Sequence, residues 1–401
     1  MTLIRSWVES ANREDCPFPL NNLPYGVFSV GGDTPRCGAA IGDSIVDLAG
    51  CEARGLLDGG GTFAQPQLNG FMALGRARWD AVRARLTGLL VEGAAQDVPL
   101  VSMADATLHL PIRVTEFTDF YASRNHAFNV GVLFRGPENA LPAQWTHMPI
   151  GYNGRASSVV VSGTPIRRPM GQLKGENGPR WAPCERLDLE LELGAIVGAD
   201  STMGQRVGVE QAEDMIFGYV LLNDWSARDV QAWEYQPLGP FQSKALGTTI
   251  GAWVVTQAAL EPFRSPGADR VNPLLPYLHE ERPGFYDLEV GWSMNGQVMS
   301  RTNYAVMYYS SAQQLAHHTS SGCPMRVGDL LGSGTISGPA PDQTGALLEM
   351  TQGGRNPVTV NGEARTFIED GDEIALFAEA RGDGYRIGFG PCAGTILPAR
   401  P

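Results

Sequence analysis

The chain has 401 residues and a mass of 43.1 kDa; 43% of the residues are hydrophobic, 18% are charged, and the formal net charge is −13. A pI near 5.0 leaves no basic footprint to neutralise phosphates, which excludes a nucleic-acid binder, and no apolar run approaches the ~18 residues of a membrane span. Forty-nine glycines and 28 prolines, roughly a fifth of the chain, are interleaved with aromatics and short β-branched runs, a texture of many turns between many strands.

In chain order, residues 1–15 carry Arg5, Glu9, Arg13, Glu14 and Asp15 with no apolar block between them, so no signal peptide is expected there. LPYGVFSV (23–30) and AIGDSIVDL (40–48) read as alternating strands with a Gly-Asp turn, and 71–90 as a helix with arginines on its outer face. Little in this first unit looks chemical, and a structural or oligomerisation role is expected of it. From Thr115 the texture changes. Residues 115–136 begin extended and turn helical near Ser123, and the stretch to Arg155 reads as a long ordered loop of the kind that is usually functional. Strands are predicted at 157–163, 187–198, 218–225, 248–256 and 286–296, and helices near Val209–Phe217, from Ser226, and at 310–320; strands and turns finish the chain. The six cysteines are scattered without a C-x-x-C pair, which points to a reducing compartment and a cytoplasmic location.

The strand at 187–193 alternates leucine with acid. Asp188, Glu190 and Glu192 fall at i, i+2 and i+4 and share one face. Alone, such a strand is more often an amphipathic one with a solvated acidic face. Adjacent carboxylates repel by up to ~4 kcal/mol per close pair at an effective dielectric near 20, however, and a hard cation, Mg²⁺ or Ca²⁺, resolves that conflict. Asp224 ends an apolar strand, and Ser226 with Asp229 resembles a capping box, so Asp224 is predicted beside a helix N-terminus. On that helix Arg228, Gln231 and Tyr235 share a face. Only Lys174 and Lys244 among the 30 basic residues are lysines. Lys174 reads as solvated in a turn, whereas Lys244, in a Gly/Pro loop, is a candidate electrophile or proton carrier. His126 follows the TDFY segment, and the adjacent His317 and His318 point apart and read as structural. GSGTISG (332–338) and GFGPCAG (388–394) lack dinucleotide-fingerprint spacing, and no G-x-S-x-G nucleophile elbow occurs.

Together the strings TDFYASRNHA (118–127), NVGVLFRG (129–136), PIGYNGRASSVVVSGTPIRRPMGQ (149–172), LDLELELG (187–194), LLNDWSARDVQAWEYQPLGPFQSKALGTTI (221–250), GDLLGSGTISG (328–338) and GDGYRIGFG (382–390) resemble the fumarylacetoacetase family. The likeness runs over nearly the whole chain. It implies a mostly β fold with some α: an N-terminal SH3-like barrel over 1–114 and a catalytic mixed β-roll over 115–401, assembled as a homodimer. It implies a divalent cation, Mg²⁺ or Ca²⁺, on Asp119, Glu190, Glu192 and Asp224, with Lys244 and Thr248 associated with it. Lys244 could ligate only through its backbone carbonyl. Asp188 is then the odd acid, free to pair with an arginine. The implied base is His126 supported by Glu349, with Arg228, Gln231 and Lys244 stabilising developing negative charge. Tyr121, Arg135, Tyr152, Gln231, Tyr235 and Thr335 are the implied substrate contacts. The implied reaction is hydrolysis of the C–C bond of 4-fumarylacetoacetate to fumarate and acetoacetate, the last step of tyrosine and phenylalanine catabolism. The alternatives are another diketo-acid hydrolase or lyase on the same site, or a Schiff-base aldolase using Lys244.

Overall fold

The computed structural model describes residues 2–400. In the N-terminal unit, Leu100–Ser102, Ser44–Asp47, Arg36–Ile41, Tyr25–Val30 and Ala106–His109 lie side by side, in that order, as a five-stranded antiparallel sheet. The Gly-Asp turn is a two-residue hairpin in which Gly42 takes φ +60°, a region glycine enters without steric cost. The helix expected over 71–90 is two pieces, Asn69–Met72 and Arg76–Leu90, because Gly75 at φ +83° breaks the helical path between them. The second piece buries Trp79, Val82, Leu86 and Leu90.

The larger unit is built on an eight-stranded mixed sheet. Its main path runs Gly151–Asn153, Phe117–Phe120, Leu330–Gly332, Leu191–Val197, Ile216–Asp224, Thr248–Ile250 and Val159–Val161, and Val255–Thr256 also pairs with Ile216–Asp224. A six-stranded sheet containing Glu289–Met294, Glu373–Gly382 and Cys392–Leu397 completes the β-rich body. The central strand Ile216–Asp224 is buried along its whole length, so its side chains have to suit two interiors. Tyr219 and Leu221 join the core of the larger unit, while Val220, Leu222 and the neighbouring Ile196 and Ile250 pack with Val27, Phe71, Trp79 and Leu86 of the N-terminal unit. That second face continues toward the ends of the strands with the same period of two, and there it carries Asp119, Glu192, Asp224 and Thr248.

Three further expected elements differ from the sequence reading. The alternating acidic strand divides: Leu187–Asp188 pairs with Ser226–Ala227, Leu191–Val197 enters the main sheet, and Glu190 between them donates its N–H to Asn223 Oδ1 at 3.1 Å. The predicted strand 248–256 is two strands separated by Gly251–Val254. Ser226 does not cap a helix. It lies in a strand, its Oγ donates to the Asp224 carbonyl, and the helix runs Arg228–Glu234 behind an Ala227 N-cap. Asp229 instead accepts from the Glu185 N–H and the Cys184 thiol. The predicted helix at 310–320 forms as Ser311–His318, closed by a capping box between Ser310 and Gln313.

Candidate active site

Strand register brings the acids together. Asp119 pairs with Tyr152 on one side and Gly332 on the other, Gly332 with Gly194, Glu192 with Leu222, and Asp224 with Thr248. Residues distant in sequence thus form one row across the sheet. Asp119, Glu190, Glu192 and Asp224 are all buried, and each offers an oxygen within 4.8 Å of the others'. Oxygens around one Mg²⁺ or Ca²⁺, at 2.0–2.6 Å from the ion, span about the same distance. The solvated acidic face weighed from the sequence is not what forms: the leucine face and the acidic face are both interior.

Several features of this row suit a cation. Asp119 Oδ1 and Glu192 Oε1 are buried and, among the described residues, accept no hydrogen bond. A buried acceptor left bare in this way is unfavourable by about 1–3 kcal/mol, more when charged. At Gly332 a Cβ atom would lie 2.6 Å from Asp119 Oδ1 and 2.9 Å from Glu192 Oε2, so only glycine leaves both carboxylates room. Charge points the same way. With Asp188 there are five buried carboxylates against two buried cations, Arg228 and Lys244, and charge in a protein interior is tolerated only when compensated. Burial, reinforced by the neighbouring acids, pushes the Asp119 and Glu192 carboxyls well above their ordinary range. Glu190 behaves oppositely. Burial would raise it, but Lys244 and Arg228 outweigh burial and hold it at about 2.

Lys244 lies in a helical turn, Gln242–Ala245, and is buried. Its Nζ donates to Glu190 Oε2 and, at 2.8 Å, to Asp224 Oδ2. Burial alone would lower the ammonium's pKa, but Asp224 and Glu190 raise it on balance. Lys174 is exposed, as expected. Thr248 Oγ1 donates to Asp224 Oδ1 at 3.2 Å and the Tyr152 hydroxyl to Asp224 Oδ2 at 3.0 Å. Burial and then the charge of Asp224 push the Tyr152 phenol well up, so it stays a donor.

His126 is the third residue of the helix Arg124–Arg135, whose N-cap, Ser123, accepts from the His126 N–H. Its Nδ1 lies 2.6 Å from Glu349 Oε2, and its Nε2 is 3.9 Å from Glu190 Oε1. Glu349 also accepts from Asn129 Nδ2 at 2.9 Å and Ser337 Oγ at 2.8 Å. Burial would raise the Glu349 carboxyl, but His126 and these bonds bring it below its usual value. An ionised Glu349 therefore fixes the tautomer with hydrogen on Nδ1, which leaves the Nε2 lone pair facing the cleft.

Of the candidate residues, all except Asp224, Thr248 and Glu349 line one cleft of about 320 Å³; those three support it from behind. Its polar wall meets an apolar one formed by Val130, Phe134 and Leu238, the mixture typical of small-molecule sites. Tyr121 sets its ring edge against His126 with centroids 5.5 Å apart. Tyr235 and Thr335 stand at the cleft, and Thr335 is buried. The Arg135 guanidinium is tied to the carbonyls of Asn139 and Ala140, and Gln231 Oε1 accepts from Arg228 Nη1 at 3.2 Å. Arg228 is less free than the sequence suggests, because it lies 2.8 Å from both Asp188 and Glu190. His317 and His318 bond to Tyr277 and Thr118, outside the cleft. Sequence reasoning missed Asn129, Ser337 and Gly332. Asn129 sits three residues after His126 on the same helix, and the other two lie in the GSGTISG segment, where a dinucleotide fingerprint was the wrong motif to seek.

Fold and site together define a two-domain, β-rich enzyme with a buried acid cluster beside a His–Glu pair. The N-terminal fumarylacetoacetase family model matches residues 21–111, and that of the fumarylacetoacetate hydrolase C-terminal region matches 115–397. The chain belongs to the fumarylacetoacetase family. It is 48% identical to human fumarylacetoacetase over 96% of this chain and 97% of that one, and 45% identical to the Arabidopsis thaliana fumarylacetoacetase over all of both. Among solved structures it shares its fold with a fumarylacetoacetate hydrolase from Exiguobacterium antarcticum (TM-score 0.58, 17% identity, 94% of this chain and 100% of that one). A maleylpyruvate hydrolase from Sphingobium sp. SYK-6 is similar at TM-score 0.54 and 17% identity, with the same coverage.

Proposed function

We propose that the chain hydrolyses the C–C bond of 4-fumarylacetoacetate, releasing fumarate and acetoacetate at the end of tyrosine and phenylalanine breakdown. The observation that carries this reading is the juxtaposition, in one cleft, of the His126–Glu349 pair and the four-carboxylate cluster, in a chain alignable end to end with fumarylacetoacetases. Asp119, Glu190, Glu192 and Asp224 would hold Mg²⁺ or Ca²⁺. When bound, such a cation supplies Lewis-acid stabilisation of negative charge on the diketone oxygens.

The chain's own residues then divide the work. His126 Nε2 takes a proton from water, and Glu349 holds the ring and stabilises the imidazolium. The resulting hydroxide attacks the carbonyl of the fumaroyl group. Collapse breaks the bond to the methylene that lies between the two ketones, where the departing pair delocalises as an enolate. The His126 imidazolium then returns its proton to that carbon. Lys244, hydrogen-bonded to Glu190, and Arg228, ion-paired with it, contribute positive charge at the cleft wall, and Gln231 adds a neutral polar contact. Tyr121, Arg135, Tyr152, Tyr235 and Thr335 are assigned to substrate binding. A Schiff-base aldolase needs a free, neutral amine at Lys244, and the two carboxylates that accept from it favour the ammonium.

We read the N-terminal unit, over 1–114, as SH3-like, a description its five-stranded antiparallel sheet supports. Six unpaired cysteines support a cytoplasmic location, and no helix among the described residues is long and apolar enough to cross a membrane. A homodimer is the assembly expected of the family and is checked by light scattering. The decisive assay follows the diketo absorbance of fumarylacetoacetate with purified protein, with and without chelator, beside a panel of other diketo acids. Turnover of another diketo acid in preference to fumarylacetoacetate would sink the reading.

A further inference from the structure

Asp188 belongs to the acidic strand but not to the acid cluster, and its surroundings explain why. It is fully buried. Oδ1 accepts from the N–H groups of Leu189 and Leu347, both at 2.9 Å. Oδ2 accepts from Arg228 Nε at 2.8 Å and from the Leu348 N–H at 3.2 Å. A carboxylate has about four acceptor sites, and here all are filled. Asp119 and Glu192, by contrast, each keep a bare buried oxygen. Asp188 has no lone pair to offer an ion.

What it binds is more telling. Leu347 and Leu348 begin the single helical turn Leu347–Met350, whose third residue is Glu349. That turn has no side-chain cap of its own, so its first N–H groups depend on Asp188 from across the fold. Glu349 then orients His126 through the 2.6 Å contact. On the other side Arg228 bridges from Asp188 to Glu190 Oε1 at 2.8 Å, and Glu190 is one of the four clustered acids. One buried carboxylate thus fixes both halves of the cleft: the backbone under the His–Glu pair and the arginine that aims a clustered acid.

We propose that Asp188 is a positioning residue that sets the register between the His126–Glu349 pair and the acid cluster. The inference rests on the reading of those two groups as base and cation site. It predicts a coupling that a general stabilising role does not: disturbing Asp188 alters both groups, whereas its own carboxylate touches neither ion nor substrate.

The test is Asp188→Asn in the full chain. The amide keeps the shape, but its NH₂ group faces two donors in place of an acceptor, and the charge that holds Arg228 is gone. Three readouts are compared with wild type, beside the thermal midpoint. Affinity for Ca²⁺ or Mg²⁺, titrated into stripped protein by calorimetry, is expected to fall ~10–100-fold, the range for residues that orient ligands. The loss in turnover is expected in kcat with KM little changed. The low-field proton resonance of His126 Nδ1–H, assigned by its absence in His126→Ala, is expected to move or vanish. A lowered thermal midpoint with wild-type cation affinity, kcat and resonance would overturn the proposal. If Asp188→Asn does not fold, the wild type serves: the amide resonances of Leu347 and Leu348 are expected to shift as Ca²⁺ or Mg²⁺ is added, and unmoved resonances at saturation overturn the proposal equally. A wild-type protein that binds no cation and turns over no diketo acid refutes the site reading itself, a result distinct from an active wild type with an equally active Asp188→Asn.

Discussion

The sharpest quantitative expectation concerns Gly332, a residue with no functional group. A methyl group there would sit 2.6 Å from Asp119 Oδ1 and 2.9 Å from Glu192 Oε2. Carbon and oxygen make ordinary contact above about 3.4 Å, close to the separation at which non-bonded atoms find their well, so each carboxylate has to retreat by roughly 0.5–0.8 Å. A cation site tolerates displacements of only about 0.2 Å at its ligands. Glu192 cannot retreat freely, because its Oε2 accepts from the Gly334 N–H at 2.9 Å, and the Asp119 backbone is fixed by ladders on both sides of its strand, so its carboxylate can move only by rotating its side chain away from the cluster. Gly332→Ala is therefore expected to weaken Ca²⁺ or Mg²⁺ binding at least ~10-fold, comparable to the loss of an orienting partner. The overpacking destabilises the metal-free fold by only about 1–3 kcal/mol. Calorimetric titration of stripped wild type and variant, with circular dichroism to confirm folding, measures both effects. Wild-type cation affinity in a folded Gly332→Ala protein would falsify the assignment of Asp119 and Glu192 as cation ligands.

Three further expectations concern the charged groups. His126→Ala should lose about 10²–10⁴-fold in turnover, as for removal of a general base, with cation content near normal by elemental analysis; wild-type turnover would mean another base acts. Lys244→Arg should be nearly as damaging as Lys244→Met, mainly in kcat, since a planar guanidinium does not fit where a compact ammonium bonds Glu190 and Asp224. Steady-state kinetics at matched cation occupancy decide it, and an active Lys244→Arg enzyme would show that charge alone suffices. The third is a pH effect on the stripped protein. Asp119 and Glu192 have folded pKa values raised by burial, so their contribution to stability is full below the unfolded value, about 4, and is lost as pH rises through the raised folded value. Glu190, held at about 2, contributes in the opposite sense, and its share is lost only as pH falls from about 4 toward 2. Above about pH 4 the stripped protein should therefore lose thermal stability with rising pH, and added cation should abolish the slope. A midpoint independent of pH in the stripped protein would contradict the raised values.

Much of the site is legible in the sequence, because part of its chemistry is local along the chain. The period-two alternation of 187–193 put Glu190 and Glu192 on one face, and the TDFY-to-RNHA step joined Asp119 to His126 within eight residues. The rarity of lysine singled out Lys244. Glu349 and the binding residues came from the family likeness alone, since no spacing links Glu349 to a histidine 223 positions away. Local pattern overreached where it assumed continuity. Helix 71–90 breaks at Gly75, and the acidic strand breaks after Asp188 because its two halves pair with different partners.

By itself the sequence determined composition, strand alternation and the absence of nucleotide motifs, and it nominated the acids; the role of His126 as base is what the family likeness implies. Strand alternation left open which acids stand together, the family likeness implied a grouping, and the tertiary structure brings Asp119, Glu190, Glu192 and Asp224 into one cluster. Asp188 and Glu190 are equivalent by period, yet one is saturated by two backbone N–H groups 159 and 160 positions away and by Arg228, while the other joins Asp119, Glu192 and Asp224. The tertiary structure also decided that an unremarkable glycine, Gly332, gives two carboxylates their room, and that Asn129 and Ser337 secure Glu349. The physical reason is common to all of these. Periodicity sets the face on which a side chain emerges, but what saturates, crowds or bares a buried oxygen is supplied by strand pairing and loop closure between distant segments, and one chain's alternation carries no record of those partners.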